Sequence, residues 1–592
     1  MVIWPTAVTP QRAITRPQVA RVFMGIPLRM WVGSRTGLPH ARTLQGRAAR
    51  NTCPWFRPEN AALLGGRTGT GWGDSHGSQR ASPGAMPTTD ARRYPLPDTE
   101  TPMAPIPVLT HVLIALICSL ARGQIQPIDL PVALTIPAGV DMGGDMTFRM
   151  CVRMKSPPGD LPTLAASKAW EAGAIKDYTT NNAFGLGRES GSKAGFAISV
   201  LPDGAWTWNA GDGRRRIDHR PEARDQSIAD GRWHEVGFAI DRNRGVAHLF
   251  HDGRRVALHD LHGVGSLKSD TRKVHLGSAD LDVEIGAVRI EPTALSSSAV
   301  ASDFKKRFGQ KRAGATLRSW NGRPLRVLAW NIWHGGRRKG RDEGVKRVVE
   351  VIKRSGADIV LMQETYGSGP RISGRLGFDY FLRSSNLSVL SRFPIVDVHR
   401  LASAFRFGGV TIELKPGVRV QAFSLWINHL PSVKAQLAAG ASADDLVAAD
   451  AKTRGRETQA ILSQLLPHLE KTPEMPVIVA GDFNSGSSLD WTPEAAHLPN
   501  HQGLTVAWPA SRSMADAGFI DAFRTANTDP VKAPGHTWSP EFRDTHQERI
   551  DYVYLRGASW RVLESEVLSE HPRGWPSDHA AVLAVLSLAK KR

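Results

Sequence analysis

The sequence predicts a multidomain protein in which an all-β sandwich precedes a region of alternating strands and helices. The chain has 592 residues, several times the ~150 residues of a typical domain. Short strand-like segments separated by turns fill residues 125–296, and strands alternate with amphipathic helices across residues 323–590. With 41% hydrophobic and 22% charged residues, the chain can bury real cores, which excludes a wholly disordered or fibrous protein.

Residues 1–102 differ in composition from the rest of the chain, because they contain many Arg residues but no Lys. The apolar run at 104–121 is too short to span a bilayer comfortably, and it ends in Ala121-Arg-Gly123, which is typical of an export cleavage site. We therefore expect translation to begin at Met103, with residues 103–124 as a signal peptide. Residues 1–102 are then an upstream extension or a disordered leader. The alternatives for the apolar run are a buried strand and an internal anchor.

Export predicts a secreted, periplasmic or cell-surface protein, and the cysteine content agrees with that location. Cleavage near Gln124 would leave Cys151 as the remaining one of three cysteines, which excludes an internal disulfide. No stretch of ~18 uninterrupted apolar residues with room to span a bilayer occurs, so we do not expect an integral membrane protein. We expect a monomer. The net charge of +19 would attract phosphate-rich partners if it were concentrated on one surface, but residues 1–102 carry +8 of it.

Within residues 125–296, strands are predicted at 196–200, 235–240, 246–250 and 283–288. The segment Asp230-Gly-Arg-Trp-His-Glu-Val236 is followed by Phe250-His-Asp-Gly253 at a hairpin. This pair of motifs resembles the laminin G or concanavalin A-like jelly roll. The resemblance implies a sandwich that binds carbohydrate or a cell-surface ligand, or that serves as a spacer.

The histidines of this region are interpreted as packing or surface residues. Trp233 and His234 fit a core aromatic and a strand-end residue, and no sequence spacing places three histidines beside a carboxylate. This interpretation covers His248, His251, His259 and His262.

Residues 297–322 are rich in Ser, Lys and Arg and predict a solvated linker, with a segment that grips polyanions as the alternative. Beyond it, strands are predicted at 325–330, 359–362 and 477–480. Apolar residues at helical spacing predict helices at 345–354 and at 458–466, the second ending near Pro467. Such a region is α/β or α+β, and it is large enough for two packed sheets with helices outside.

Polar residues follow these buried strands, where they are costly unless they are paired or bound to a cation. The ordered motifs are Trp330-Asn331, Leu361-Met-Gln-Glu364, Ser391-Arg-Phe-Pro394, His429, Gly481-Asp-Phe-Asn484, Ile550-Asp-Tyr552 and Ser577-Asp-His579. Together they resemble the endonuclease/exonuclease/phosphatase superfamily, which has the DNase I-like fold. The resemblance covers residues 323–590 and implies an α/β four-layer sandwich with metal-dependent phosphoric ester hydrolase activity.

The resemblance also implies a role for each polar residue. Glu364 would be the main metal ligand, with Asn331 and Asp578 near it. The ion would be Mg²⁺, with Mn²⁺ and Ca²⁺ as alternatives, because these hard cations prefer carboxylate and amide oxygens. Four further residues would act on the phosphate and the attacking water: Asp482, Asn484, His429 and His579, with Asp551 holding the tautomer of His579.

The substrate remains open at the level of the sequence. Arg337, Arg338, Lys339 and Arg341 closely follow Asn331 and would bind substrate phosphates, or they form a solvated loop. The first hypothesis is a secreted phosphodiesterase acting on nucleic acid or a phospholipid headgroup, as nucleases and sphingomyelinases do. The second is a phosphomonoesterase of sugar or inositol phosphates. The third is a surface-binding protein whose laminin G-like domain carries the function.

Overall fold

The computed structural model describes residues 125–168, 193–261, 263–277, 281–309 and 317–589, and the backbone of residues 187–188. The predicted leader and signal peptide, and His262, lie outside these ranges. Among the helices within them, none has both the length and the apolar composition needed to cross a bilayer. We call residues 125–308 the amino-terminal lobe and residues 317–589 the carboxy-terminal lobe.

The amino-terminal lobe consists mainly of antiparallel strands. These are β1 (Val132–Thr135), β2 (Met146–Met154), β3 (Thr163–Ala166), β4 (Gly187–Arg188), β5 (Ala194–Val200), β6 (Trp206–Asp212), β7 (Arg215–His219), β8 (His234–Asp241), β9 (Val246–His251), β10 (Arg254–Asp260), β11 (Lys273–Leu276) and β12 (Val283–Glu291). The four strands predicted here correspond to β5, β8, β9 and β12.

Two sheets of this lobe pack against each other through aromatic side chains. One sheet has the order β1-β11-β3-β5-β6-β7-β4, and the other contains β12-β2-β8-β9-β10. The rings of Phe148 and Phe196 lie 4.9 Å apart, and those of Phe196 and Phe238 lie 4.8 Å apart. Since β2 and β8 belong to one sheet and β5 to the other, this aromatic cluster is the core of the lobe.

The strands of the carboxy-terminal lobe belong to two sheets. They are β13 (Leu325–Asn331), β14 (Ile359–Gln363), β15 (Asp379–Leu382), β16 (Ser388–Ser391), β17 (Ile395–His399), β18 (Phe407–Lys415), β19 (Val418–Trp426), β20 (Val477–Asp482), β21 (Ile520–Asp521), β22 (Asp551–Arg556), β23 (Trp560–Leu568) and β24 (Ala581–Leu588).

Helices connect and flank the strands of both lobes. The α-helices are α1 (Ala223–Gln226), α2 (Ser297–Phe308), α3 (Asp342–Ser355), α4 (Gly369–Leu376), α5 (Val433–Ala438), α6 (Ala443–Asp450), α7 (Arg456–Leu469), α8 (Pro509–Asp516) and α9 (Ala522–Ala526). Short 3₁₀ segments are His334–Lys339 and Pro493–Ala495, and a π-helical segment is Ala451–Gly455.

Alternating side chains of the central strands build the layers of this lobe. Val327 of β13 packs with Ile478 of β20 between the two sheets. Leu328, one residue on, faces the opposite side of its sheet with Val348 of α3. On the far side of the other sheet, Leu465 of α7 packs against β19 and β20. The order helix, sheet, sheet, helix agrees with the predicted four-layer α/β fold.

One sheet runs through both lobes. Strand β10 pairs in parallel with β15, with Leu258 opposite Phe381 and His259 opposite Leu382. The resulting sheet has 11 strands in the order β12-β2-β8-β9-β10-β15-β16-β14-β13-β24-β23. The two regions that the sequence separates are therefore joined by backbone hydrogen bonding.

The predicted linker at 297–322 contains a packed helix, which corrects that prediction for residues 297–308. Helix α2 begins after Ser296, whose hydroxyl accepts the backbone N–H of Ala299 at 3.2 Å. Val300 and Phe304, four residues apart, are fully buried. Burial of these apolar side chains at helical spacing stabilises the helix, although the segment is otherwise rich in Ser, Lys and Arg residues.

The predicted end of a helix near Pro467 agrees with the structure to within two residues. Helix α7 continues to Leu469 with Pro467 inside it. Proline lacks the N–H that would bond the carbonyl of Ser463 four residues earlier. Because Ser463 is exposed, water can solvate that carbonyl, and the helix tolerates the proline.

Candidate active site

The ends of the central strands place the predicted polar residues at one edge of the two sheets. Asn331 ends β13 and lies opposite Gln363 at the end of the parallel strand β14. Asp482 ends β20 and lies opposite Asp551, the first residue of the antiparallel strand β22. His579 comes two residues before β24, which pairs with β13. Residues separated by some 250 positions thus meet at one site.

Asn331 connects two carboxylates of this site. Its Nδ2 donates to Asp482 Oδ2 at 3.1 Å and lies 3.4 Å from Glu364 Oε1. Glu364 Oε2 accepts the backbone N–H of His334 at 2.8 Å. Asn331 and Asp482 are almost fully buried. Burial raises the pKa of Asp482 to about 8, and Asp551 adds to the rise.

His579 and Asp551 form a buried pair beside this cluster. Nδ1 of His579 lies 2.8 Å from Asp551 Oδ2, and its Nε2 lies 3.9 Å from Asp482 Oδ2. Although burial lowers the pKa of His579, the charges of Asp551 and Asp482 raise it above its ordinary value. The geometry therefore has Nδ1–H donating to Asp551, with Nε2 facing the cluster.

Asp578 and Asn484 complete the set around these groups. Burial raises the pKa of Asp578 to about 6, and Glu364 contributes to the rise, so the two carboxylates are electrostatic neighbours. Asn484 donates from Nδ2 to the carbonyl of Ile427 at 2.9 Å, and its backbone N–H donates to Asp482 Oδ1 at 2.9 Å. Asn484 is thereby fixed beside Asp482.

His429 lies beside the cluster. Its ring centroid is 6.2 Å from that of Trp426, and its carbonyl accepts from Arg454 at 2.9 Å. Burial and Arg454 lower the pKa of His429, while Glu364 opposes that change. The structure therefore brings His429 within electrostatic range of the proposed main metal ligand.

The four basic residues predicted to bind substrate lie in different surroundings. Lys339 forms an ion pair with Glu541. The guanidinium carbon of Arg338 lies 5.8 Å from the ring centroid of Trp333. Arg338 and Arg341 are exposed, whereas Arg337 is half-buried, and burial lowers its pKa. Of the four, Arg338 lies close enough to His334 to lower the pKa of its imidazole. The backbone N–H of His334 donates to Glu364.

Two supporting residues were absent from the sequence prediction. Asn386 Oδ1 accepts the backbone N–H of Glu364 at 2.9 Å. Thr537 Oγ1 accepts the backbone N–H groups of Ile550 and Asp551 at 3.0 and 3.1 Å. Both hold a site residue through its main chain, so the sequence carries no signal that identifies them.

The histidines of the amino-terminal lobe include a second cluster that sequence spacing did not predict. One possible ligand atom each of His234, His251 and Asp252 lies within 4.8 Å of the others. His234 uses both ring nitrogens on carboxylates, with Nδ1 2.9 Å from Asp252 Oδ2 and Nε2 2.9 Å from Asp230 Oδ1. We interpret this arrangement as a structural ion pair at the hairpin.

The donor set of the candidate active site fits a hard divalent cation. Oδ1 of Asp551 and Oδ1 of Asp578 are buried, and neither has a hydrogen-bond partner among the described residues. Glu364 and Asp482 add two further carboxylates to the same small volume. Buried carboxylates are costly unless they are protonated, paired or bound to a cation, and carboxylate and amide oxygens suit Mg²⁺ or Mn²⁺.

Comparison with known proteins agrees with this geometry. Residues 328–579 match the model of the "Endonuclease/Exonuclease/phosphatase family". These residues are a domain of that family. The chain therefore contains a metal-dependent phosphoric ester hydrolase domain, as the sequence predicted. The matched segment spans the site from β13 to His579.

Individual relatives of this endonuclease/exonuclease/phosphatase domain are distant. An uncharacterized protein of Caenorhabditis elegans, F14F9.5, is 27% identical over 291 residues, which is 44% of this chain and 90% of that protein. The human Nocturnin catalytic domain is 17% identical, with a TM-score of 0.32, over 45% of this chain and 94% of that one. A family member from Beutenbergia cavernae is 20% identical, with a TM-score of 0.32, over 45% of this chain and 72% of that one.

Proposed function

We propose that the protein is a phosphodiesterase that uses a divalent cation, with Mg²⁺ or Mn²⁺ as the ion. One observation carries the proposal: partly buried Glu364 and buried Asn331, Asp482 and His579 form a single cluster of carboxylate, amide and imidazole groups. A phosphodiester is anionic and repels a nucleophile, so its hydrolysis needs charge neutralisation at the phosphate.

Glu364, Asn331 and Asp578 would hold the cation, which when bound supplies positive charge to a phosphate oxygen. Asp482 and Asn484 orient the attacking water. Asp551 holds Nδ1 of His579, so that Nε2 is directed at the reacting phosphate and stabilises its developing charge.

The experiment that tests this function uses the purified full chain with bis(p-nitrophenyl) phosphate as a diester and p-nitrophenyl phosphate as a monoester. We expect diester hydrolysis that requires Mg²⁺ or Mn²⁺ and stops with a chelator. Glu364→Gln should lower the rate by about 10²–10³-fold. Glu413→Gln, a matched change at a β18 residue that pairs with Arg419, should leave it unchanged. Absence of metal-dependent diester hydrolysis would refute the proposal, and faster monoester hydrolysis would favour the phosphomonoesterase.

We further propose that the protein is exported and that its amino-terminal lobe is a laminin G or concanavalin A-like domain that contacts a carbohydrate or cell-surface ligand. The apolar run before Gln124 and the Asp230 and Asp252 motifs support these two points. Mass spectrometry of the native protein should find a mature amino terminus near Gln124. A glycan array probed with the full chain tests the ligand, and peptides from residues 1–102 in the native protein would contradict the predicted start.

A further inference from the structure

Where the two lobes meet, a buried ion pair links them. Asp260, at the end of β10, forms an ion pair with Arg383, which follows β15. The side chains are 0% and 1% exposed. Asp260 Oδ1 also lies 3.6 Å from Nε of Arg400. One carboxylate of the amino-terminal lobe therefore neutralises two arginines of the other lobe.

Arg383 also donates hydrogen bonds to main-chain carbonyls of one segment. Nη2 donates to the carbonyls of Leu401 and Ala402 at 3.2 Å each, and Nε donates to that of Phe407 at 3.1 Å. We call residues 400–406, between β17 and β18, the rim loop. A Cβ on Gly408 would approach Nε of Arg383 to 2.3 Å, so the guanidinium lies directly against the backbone at the start of β18.

The rim loop lies against the candidate active site. The guanidinium carbon of Arg406 is 4.9 Å from the ring centroid of Trp426, and the ring centroids of Phe405 and Trp426 are 5.6 Å apart. Trp426 is in turn the ring neighbour of His429. Phe405 is 38% exposed, so the loop presents a solvent-accessible aromatic side chain beside Trp426.

The rim loop is also tied to the proposed metal ligand. Asn386 Nδ2 donates to the carbonyl of Phe405 at 3.0 Å, while its Oδ1 accepts the backbone N–H of Glu364 at 2.9 Å. Contacts therefore run without interruption from Asp260 through Arg383 and the rim loop to Glu364.

We propose that Asp260 of the amino-terminal lobe is a positioning residue for the active site of the other lobe, because it holds Arg383 and Arg400 and through them the rim loop. The inference rests on the proposed phosphodiesterase function. Its physical basis is that a buried guanidinium that loses its counter-ion must reorganise or admit water. Two of the three carbonyls that Arg383 binds belong to the rim loop, and the third belongs to Phe407, the residue that follows it. The amino-terminal lobe is then part of the catalytic structure.

The inter-lobe contact offers a matched control. Glu222 accepts hydrogen bonds from Arg371 and Arg375 of α4, at 2.6 and 2.7 Å. Glu222→Gln therefore weakens the same inter-lobe contact without touching the rim loop. If Asp260→Asn lowers kcat/KM only because it weakens the contact between the lobes, Glu222→Gln should lower kcat/KM as well.

The test compares Asp260→Asn with Glu222→Gln in the full chain. We expect Asp260→Asn to lower kcat/KM for bis(p-nitrophenyl) phosphate with Mn²⁺ by about 10–100-fold, as for lost outer partners of metal ligands. Hydrogen exchange should accelerate in peptides of the rim loop and stay unchanged in α3. Glu222→Gln should retain kcat/KM within about twofold. An equal loss in both variants, or wild-type exchange of the rim loop in Asp260→Asn, would overturn the proposal.

A double variant keeps the proposal testable where Asp260→Asn alone fails to fold. Asp260→Asn with Arg383→Gln removes the unpaired buried cation, so stability should recover. The rim loop has then lost its anchor, and we expect low kcat/KM and fast exchange of the loop to remain. A stable double variant with wild-type kcat/KM would refute the role of Asp260. If the wild-type chain shows no diester hydrolysis, the proposed function fails, and hydrogen exchange of the rim loop decides the positioning role independently.

Discussion

Glu364 adopts a left-handed backbone conformation with φ of 54°, which non-glycine residues rarely adopt. The hydrogen bond from its N–H to Asn386 at 2.9 Å holds it there, and Asn386 is fully buried. Asn484, also at the site, has φ of 49°. Such strained residues persist where the surrounding structure fixes them, and they cluster at functional sites.

Asn386→Ala should therefore weaken cation binding without removing a ligand. We expect the Mn²⁺ affinity, measured by isothermal titration calorimetry, to fall by about 10–100-fold. Turnover should recover at high Mn²⁺, which would not happen in Glu364→Gln. The control is Asn321→Ala, at an exposed position outside the site. Unchanged Mn²⁺ affinity in Asn386→Ala would show that the hydrogen bond does not position Glu364.

His234 provides a second prediction at the residue scale, this time on stability. Burial lowers its pKa, but Asp252 and Asp230 outweigh burial and raise the pKa above its ordinary value. A raised pKa stabilises the fold fully below the unfolded-state pKa, and this stabilisation is lost as pH rises through the folded-state pKa. His234→Gln should thus lose about 1.5–3 kcal/mol at about pH 5.5 and clearly less at about pH 9. Urea denaturation at both pH values measures this, and an equal loss would contradict it.

At the scale of single elements, α3 shows how local sequence sets its own boundaries. Asp342 and Glu343 occupy the first turn and Lys353 and Arg354 the last, so charges at both ends oppose the helix dipole. Gly356 ends the helix in the left-handed conformation with φ of 65°. Glycine pays no steric cost there. The predicted span 345–354 is shorter because only the apolar positions 345, 348, 349 and 352 carried the helical pattern.

Gly356→Ala should destabilise the protein by about 1 kcal/mol, because a side chain disfavours the left-handed conformation. Gly139→Ala is the control, since a Cβ there meets nothing within 4 Å and its φ is ordinary; it should be neutral or slightly stabilising. Chemical denaturation of both variants measures the difference. Equal stability of the two variants would count against a glycine requirement at the end of α3.

At the scale of the whole molecule, the two lobes share one sheet and several ion pairs. Beside the pairing of β10 with β15, Arg255 bonds Asp379 and the carbonyl of Ile395, and Glu222 bonds α4. Removing the amino-terminal lobe would expose the edge of β15 and leave buried arginines unpaired. Exposed strand edges recruit other strands and promote aggregation.

A fragment of residues 317–592 should accordingly be less stable than residues 125–592 and should self-associate. Size-exclusion chromatography and thermal melting of both fragments check this. A monomeric 317–592 fragment with an unchanged Tm would show that the carboxy-terminal lobe folds independently of its neighbour.

The sequence by itself determined the alternation of strands and helices after residue 323 and the polar residues at the strand ends. Those signals are local, since periodicity and motif order lie within short segments such as Gly481-Asp-Phe-Asn484. The tertiary structure alone decided the shared sheet, the ion pair of Asp260 with Arg383, and the main-chain supports from Asn386 and Thr537. Pairing of strand edges and burial of a charge depend on which distant surfaces meet, and no local pattern encodes that meeting.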